Sequence, residues 1–100
     1  MEYSQQIQGE NLSLQLKGQM TFNDHPKIKE VIRIISSHPI TLVTIDFSDI
    51  EFIDSAGLGM LLILKEEMDK KSGRVLLMNP KGQVEKIFRV SKFDSLFKAK

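Results

Sequence analysis

The chain has 100 residues, 41% of them hydrophobic and 27% charged, with a formal net charge of +1. That size suits a single domain, residues 1–100, with one core and no room for a second lobe. No basic stripe suggests nucleic-acid binding, and the lack of cysteine excludes disulfides, thiol chemistry and cysteine-ligated metals.

The N-terminal stretch MEYSQQIQGENL lacks the charged-then-apolar order of a signal peptide. Residues 3–7 predict a short first strand, turned back through Gly9-Glu10-Asn11. Residues 12–17, LSLQLK, alternate leucine with polar residues, the period of a strand with one face in the core. Beyond Gly18, the spacing of Ile28, Val31, Ile32 and Ile35 puts them on one stripe of a helix. Asn23 or Asp24 can cap its start, Pro26 is tolerated in its first turn, and Pro39 bars its continuation.

Residues 40–47, ITLVTIDF, are β-branched or apolar at nearly every position, which predicts a strand covered more fully than the first. Leu58, Leu61, Leu62, Lys65 and Met68 map a second helix, with Lys65, Lys70 and Lys71 interleaved with acids on a solvated face. Gly73 is expected to close it in a left-handed conformation. RVLLM, residues 74–78, is a further strand, and Asn79-Pro80 can open a third helix carrying Val84, Ile87 and Phe88. SKFDSLF predicts a final turn in which Phe93, Leu96 and Phe97 pack down.

Strands alternating with helices predict an α/β fold around a mostly parallel sheet of four to five strands, with helices mainly on one face. The longest apolar run, Met60 to Leu64, is far short of the ~18 residues of a membrane span. A cytoplasmic protein without membrane insertion is expected.

One stretch exceeds what a fold needs: IDFSDIEFIDSAGLG, residues 45–59. A hydrolase nucleophile elbow requires Gly-x-Ser-x-Gly, but Ile53 holds the first glycine position and only His25 and His38 could serve as bases. A dinucleotide fingerprint fails at its third glycine, and the ribose-binding acid about 20 residues on is absent. Two isolated histidines and scattered acids do not form a metal site, so each histidine reads as a surface or capping residue. Two readings stay open. Either Asp54 or Ser55 caps the second helix while Gly57 and Gly59 let it approach the sheet, or Ser55 is displayed for modification. A helix N-terminus suits a phosphate, because its unpaired N–H groups and its dipole both favour an anion.

The segments LQLKGQM, ITLVTIDFSDIEFIDSAGLG and VEKIFRVSKFDSLF together resemble the STAS domain, the family of sulphate transporters and anti-sigma factor antagonists. The resemblance covers essentially the whole chain and is to the stand-alone bacterial antagonists. It implies the STAS fold and a regulatory role in transcription without catalysis or cofactor. In such systems the unphosphorylated antagonist binds an anti-sigma factor that is also a serine kinase and frees the sigma factor. The kinase then phosphorylates the antagonist, and a PPM-type serine phosphatase reverses this. Carried onto this sequence, the phosphorylated residue is Ser55. The switch turn and partner surface would comprise Asp54, Ala56, Gly57, Leu58 and Gly59, with Thr21 and Asp24 nearby. Many members carry an aspartate where this chain has Thr21, a departure that bears on the choice of partner. The resemblance also implies two alternatives: a constitutive adaptor subunit, as in a lipid-transport ATPase, or a regulator of motility or biofilm signalling.

Overall fold

The computed structural model describes residues 1–97, apart from the side chains of Asp94 and Leu96. β1 (Glu2–Gln8) and β2 (Asn11–Met20) form an antiparallel hairpin with Gly9-Glu10 at its tip. Asn11, expected in the turn, already pairs with Gln8. A short 3-10 turn (Phe22–Asp24) leads into α1 (His25–Ser37). β3 (Leu42–Ile53), α2 (Ser55–Lys70), β4 (Arg74–Met78), α3 (Gly82–Val90) and the one-turn α4 (Phe93–Leu96) complete the order. The sheet runs β1-β2-β3-β4, with β2, β3 and β4 mutually parallel.

The core lies on one face of this sheet. Leu12, Leu14 and Leu16 of β2 and Val43, Ile45 and Phe47 of β3 are all buried beneath the helices. On the opposite face Ser13 and Gln15 are exposed, and Thr44 and Asp46 are half-buried. β3 is therefore covered more fully than β2, as its composition predicts, although its outer face is only half-buried. Its β-branched residues fit a pleated surface whether or not a second layer lies over them.

β3 also runs six residues past its expected end at 47. Lys17 pairs with Asp49 where Gln15 pairs with Asp46, and Gln19 pairs with Phe52 where Gly18 pairs with Ile50. Each step inserts an extra residue on β3, which is a β-bulge. The bulges convert a spacing of two into three, so Phe47, Ile50 and Ile53 all stay on the core side. Without that correction the segment does not read as a strand.

Smaller departures have equally local causes. α2 closes in a Schellman motif whose left-handed residue is Ser72 (φ 57°), not Gly73. The Ser72 N–H donates to the Asp69 carbonyl at 3.0 Å and that of Gly73 to the Met68 carbonyl at 2.8 Å. Gly73 is needed for space, since a Cβ there would meet Thr41 O at 2.8 Å. Lys71 is not simply solvated, because its ammonium donates to the His38 carbonyl at 2.7 Å near the end of α1. α3 starts at Gly82, after Asn79 has turned left-handed (φ 57°) and donated to the Asp46 carboxylate at 3.3 Å. Phe88 meets Phe47 edge-on at 5.2 Å between centroids, and Phe93 and Phe97 continue the stack. Both of the latter are buried, while the Leu96 side chain expected beside them lies outside the described residues.

Candidate functional site

The end of β3 delivers the turn. Asp54 is the N-cap of α2, in an extended conformation, and its Oδ1 accepts the Gly57 N–H at 2.8 Å. That bond satisfies one of the four N–H groups a helix start leaves unpaired. The second carboxylate oxygen accepts the Phe22 N–H at 3.4 Å, and the Asp54 N–H donates to the Met20 carbonyl at 3.2 Å. Asp54 thus joins α2 to the end of β2. Ser55 follows as the first residue of α2 and is exposed.

Asp54, Ser55, Ala56, Gly57, Leu58 and Gly59 form one continuous patch by sequence, but the two glycines differ in kind. A Cβ on Gly57 would come within 2.7 Å of the Met20 carbonyl oxygen and 2.6 Å of Ile53 Cγ1. Gly57 is what lets the helix start beside the sheet. Around Gly59 there is nothing within 4 Å, so the expectation that it also serves close approach to the sheet is incorrect. It lies on the outer side of α2, facing away from the core residues Met60, Leu61 and Leu64.

The first ten residues of α2, SAGLGMLLIL, carry no charge, and Leu62 and Ile63 are exposed. Phe22, whose N–H meets the Asp54 carboxylate, is 71% exposed. A helix segment that is apolar all round is normally a buried one, and here the chain's own core covers only one side.

Thr21 lies half-buried just before Phe22. Asp24 is buried. Its carboxylate accepts the Thr21 N–H at 2.8 Å, pairs with the Met1 ammonium at 2.9 Å and has Lys27 Nζ at 3.9 Å. Burial pushes the Asp24 carboxyl up, but the Thr21 N–H, the ammonium and Lys27 outweigh it and hold the group below the usual carboxylate range. Although Asp24 occupies the N-cap position of α1, its side chain makes no capping bond there. His25 is exposed, as is His38, whose Nδ1 lies 3.0 Å from the Ile34 carbonyl.

A residue that sequence patterns do not mark completes the site. Gln83, in the first turn of α3, places its carboxamide against Ile53, with Oε1 accepting the Ile53 N–H at 3.0 Å and Nε2 donating to the Ile53 carbonyl at 2.9 Å. No sequence signal distinguishes this glutamine from an ordinary polar residue at a helix start. Among the described residues, no cluster of three or more His, Cys, Asp or Glu could hold a metal ion, and no helix is long and apolar enough to cross a membrane.

The STAS-domain family model matches residues 3–100. The chain belongs to the STAS-domain family. It is 30% identical over 90 residues to a STAS-domain containing protein of Pseudomonas aeruginosa, covering 90% of this chain and 88% of that one. It is 27% identical over 86 residues to the anti-sigma F factor antagonist of Lysinibacillus sphaericus, covering 82% of this chain and 71% of that one. The structure of the anti-sigma factor antagonist SpoIIAA in its unphosphorylated form superposes with a TM-score of 0.78 at 25% identity, over 94% of this STAS domain and 84% of that chain. The mixed sheet with its helices is thus the STAS fold, and its relatives include anti-sigma factor antagonists.

Proposed function

We propose that this STAS domain is an anti-sigma factor antagonist that works by partner switching. Unphosphorylated, it binds an anti-sigma factor that is also a serine kinase; phosphorylation on Ser55 releases it, and a PPM-type phosphatase restores it. The observation that carries this reading is the exposed Ser55 at the start of a helix whose first ten residues are uncharged. The surface a partner would cover comprises Ser55, Leu58, Gly59 and Leu62, with Phe22 beside Asp54. Gly59 supports it, since a glycine inside a helix costs up to about 1 kcal/mol relative to alanine and nothing among the described residues requires one. A closely approaching partner supplies the reason.

The chemistry of the switch is local. A phosphoserine adds roughly −1.5 to −2 charge. The helix N-terminus favours that charge by ~0.3–1 kcal/mol while Asp54 opposes it, so the free domain tolerates the phosphate with little change of shape. Under a docked partner the dianion must lose its water without a counter-charge, which costs several kcal/mol. About 4 kcal/mol is already three decades of affinity. The domain performs no catalysis itself; ATP and its metal belong to the kinase.

Co-expression with candidate kinases, followed by ATP and magnesium and by intact-mass and peptide mapping, tests the proposal. A single phosphate on Ser55 that dissociates the complex is the expected result. Ser55→Ala should fold, bind and escape modification, and Ser55→Asp should bind more weakly. A stable complex with a partner that never modifies Ser55 would make the domain a constitutive adaptor.

A further inference from the structure

β4 is too short to reach the turn. It pairs with β3 only as far as Asp46, opposite Met78, so from residue 47 onward β3 has no strand on that side among the described residues. A buried strand end left so would carry unpaired backbone groups. At Ile53, itself fully buried, the missing strand is replaced by one side chain, the Gln83 carboxamide. A carboxamide carries the same donor and acceptor as a peptide unit, so it can meet the N–H and the C=O of a single residue together. No other uncharged side chain of that length does so, and asparagine is one methylene short. Because Ile53 N–H needs an acceptor and Ile53 O a donor, the orientation of the amide is determined.

Ile53 is the residue immediately before Asp54. The turn that presents Ser55 is therefore held from three sides: by the Met20 carbonyl on Asp54 N–H, by the Asp54 carboxylate on the Phe22 and Gly57 N–H groups, and by Gln83 on Ile53. Only the Asp54–Gly57 bond is local to the turn; Met20 and Phe22 reach it from the end of β2 and just beyond, and Gln83 comes from α3, 30 residues further along the chain. α3 is in turn anchored to β3 through Phe88 on Phe47.

We infer that Gln83 is the positioning residue of the switch: standing in for an absent strand, it fixes the end of β3 so that Ser55 is presented in one geometry. Its functional half rests on the reading of Ser55 given above. Loss of the clamp frees the turn while leaving the helix-covered sheet intact.

The test is amide hydrogen exchange on the full chain, read residue by residue by NMR, for wild type, Gln83→Leu and Gln83→Glu. In Gln83→Leu, exchange at Ile53 and Gly57 should speed by roughly tenfold more than at Val43 and Ile45, which report opening of the central sheet. Gln83→Glu keeps the acceptor but sets a carboxylate against the Ile53 carbonyl, so it should fall between the two and serves if Gln83→Leu does not fold. Equal changes at all four amides would overturn the clamp. The second readout is phosphorylation of Ser55 by the kinase found through co-expression, with Arg89→Ala, an exposed change on the same helix, as the control. A kcat/KM about tenfold lower for Gln83→Leu alone is expected. Faster exchange with unchanged phosphorylation would reduce Gln83 to a structural residue and overturn its positioning role. If wild type is never phosphorylated, the reading of Ser55 fails, and the exchange comparison by itself decides the clamp.

Discussion

Asp24 and Asp54 occupy the same place in two successive strand-to-helix connections, each as the N-cap residue of the helix that follows. Asp54 does what that position suggests, accepting the Gly57 N–H, and remains partly open to solvent beside Ser55. Asp24 makes no capping bond to the helix that follows it; its bond to the Thr21 N–H closes a capping box on the 3-10 turn instead. It is buried, it reaches back to the Thr21 N–H and the Met1 ammonium, and it ties the chain's beginning to the end of β2. The same residue type at the same local position thus does a structural job in one connection and shapes an exposed surface in the other. What separates them is the charge each meets in three dimensions.

The largest way to break this comparison is Asp24→Asn. It removes the partner of a buried ammonium, and such a loss costs roughly 3 kcal/mol or more. Urea denaturation should show that loss, while a folded fraction of the variant should still present Ser55 to a kinase. The same contrast has a pH signature. Asp24 has a depressed pKa in the folded state, so its stabilisation is fully present above the unfolded value of about 3.9 and is lost as pH falls through the lower folded value. Stability measured from pH 6 downward, a range of ordinary titration, should decline over that acidic window in wild type and less steeply in Asp24→Asn.

Gly57→Ala comes next, because its Cβ would run into the Met20 carbonyl, and overpacking against backbone costs about 2 kcal/mol. Asp54→Ala should cost about 1 kcal/mol, the usual worth of a cap, and should alter partner binding far more than Asp24→Asn does. The smallest effect has the opposite sign. Gly59→Ala should stabilise the free domain by up to ~1 kcal/mol, since its Cβ meets open space, yet weaken the complex. Thermal melts and titration calorimetry on the pair Gly57→Ala and Gly59→Ala would separate fold from interface within a single turn of helix.

Local signals in the chain were enough for the order of strands and helices, for the capped turn from Asp54 to Gly59 and for the heart of the core. Alternation in LSLQLK and the stripe of Ile28, Val31 and Ile35 each depend on residues a few positions apart, so the sequence by itself determined them. The C-terminal half of β3 was not legible, because two bulges break its alternation and only pairing with β2 reveals them. The left-handed residue at Ser72 was hidden for a related reason. Gly73 looks like the helix terminator, but the approach of Thr41, just before β3, is what requires it to be glycine.

Tertiary structure alone decided the division of labour between the two aspartates, the exposure of Phe22 and the clamp of Gln83 on Ile53. A carboxylate or carboxamide can meet an N–H, an ammonium or a carbonyl from any part of the chain, and its short side chain carries no record of which. Periodicity encodes which face of an element is apolar; it does not encode which element will lie opposite, and that is where a polar side chain acquires its role.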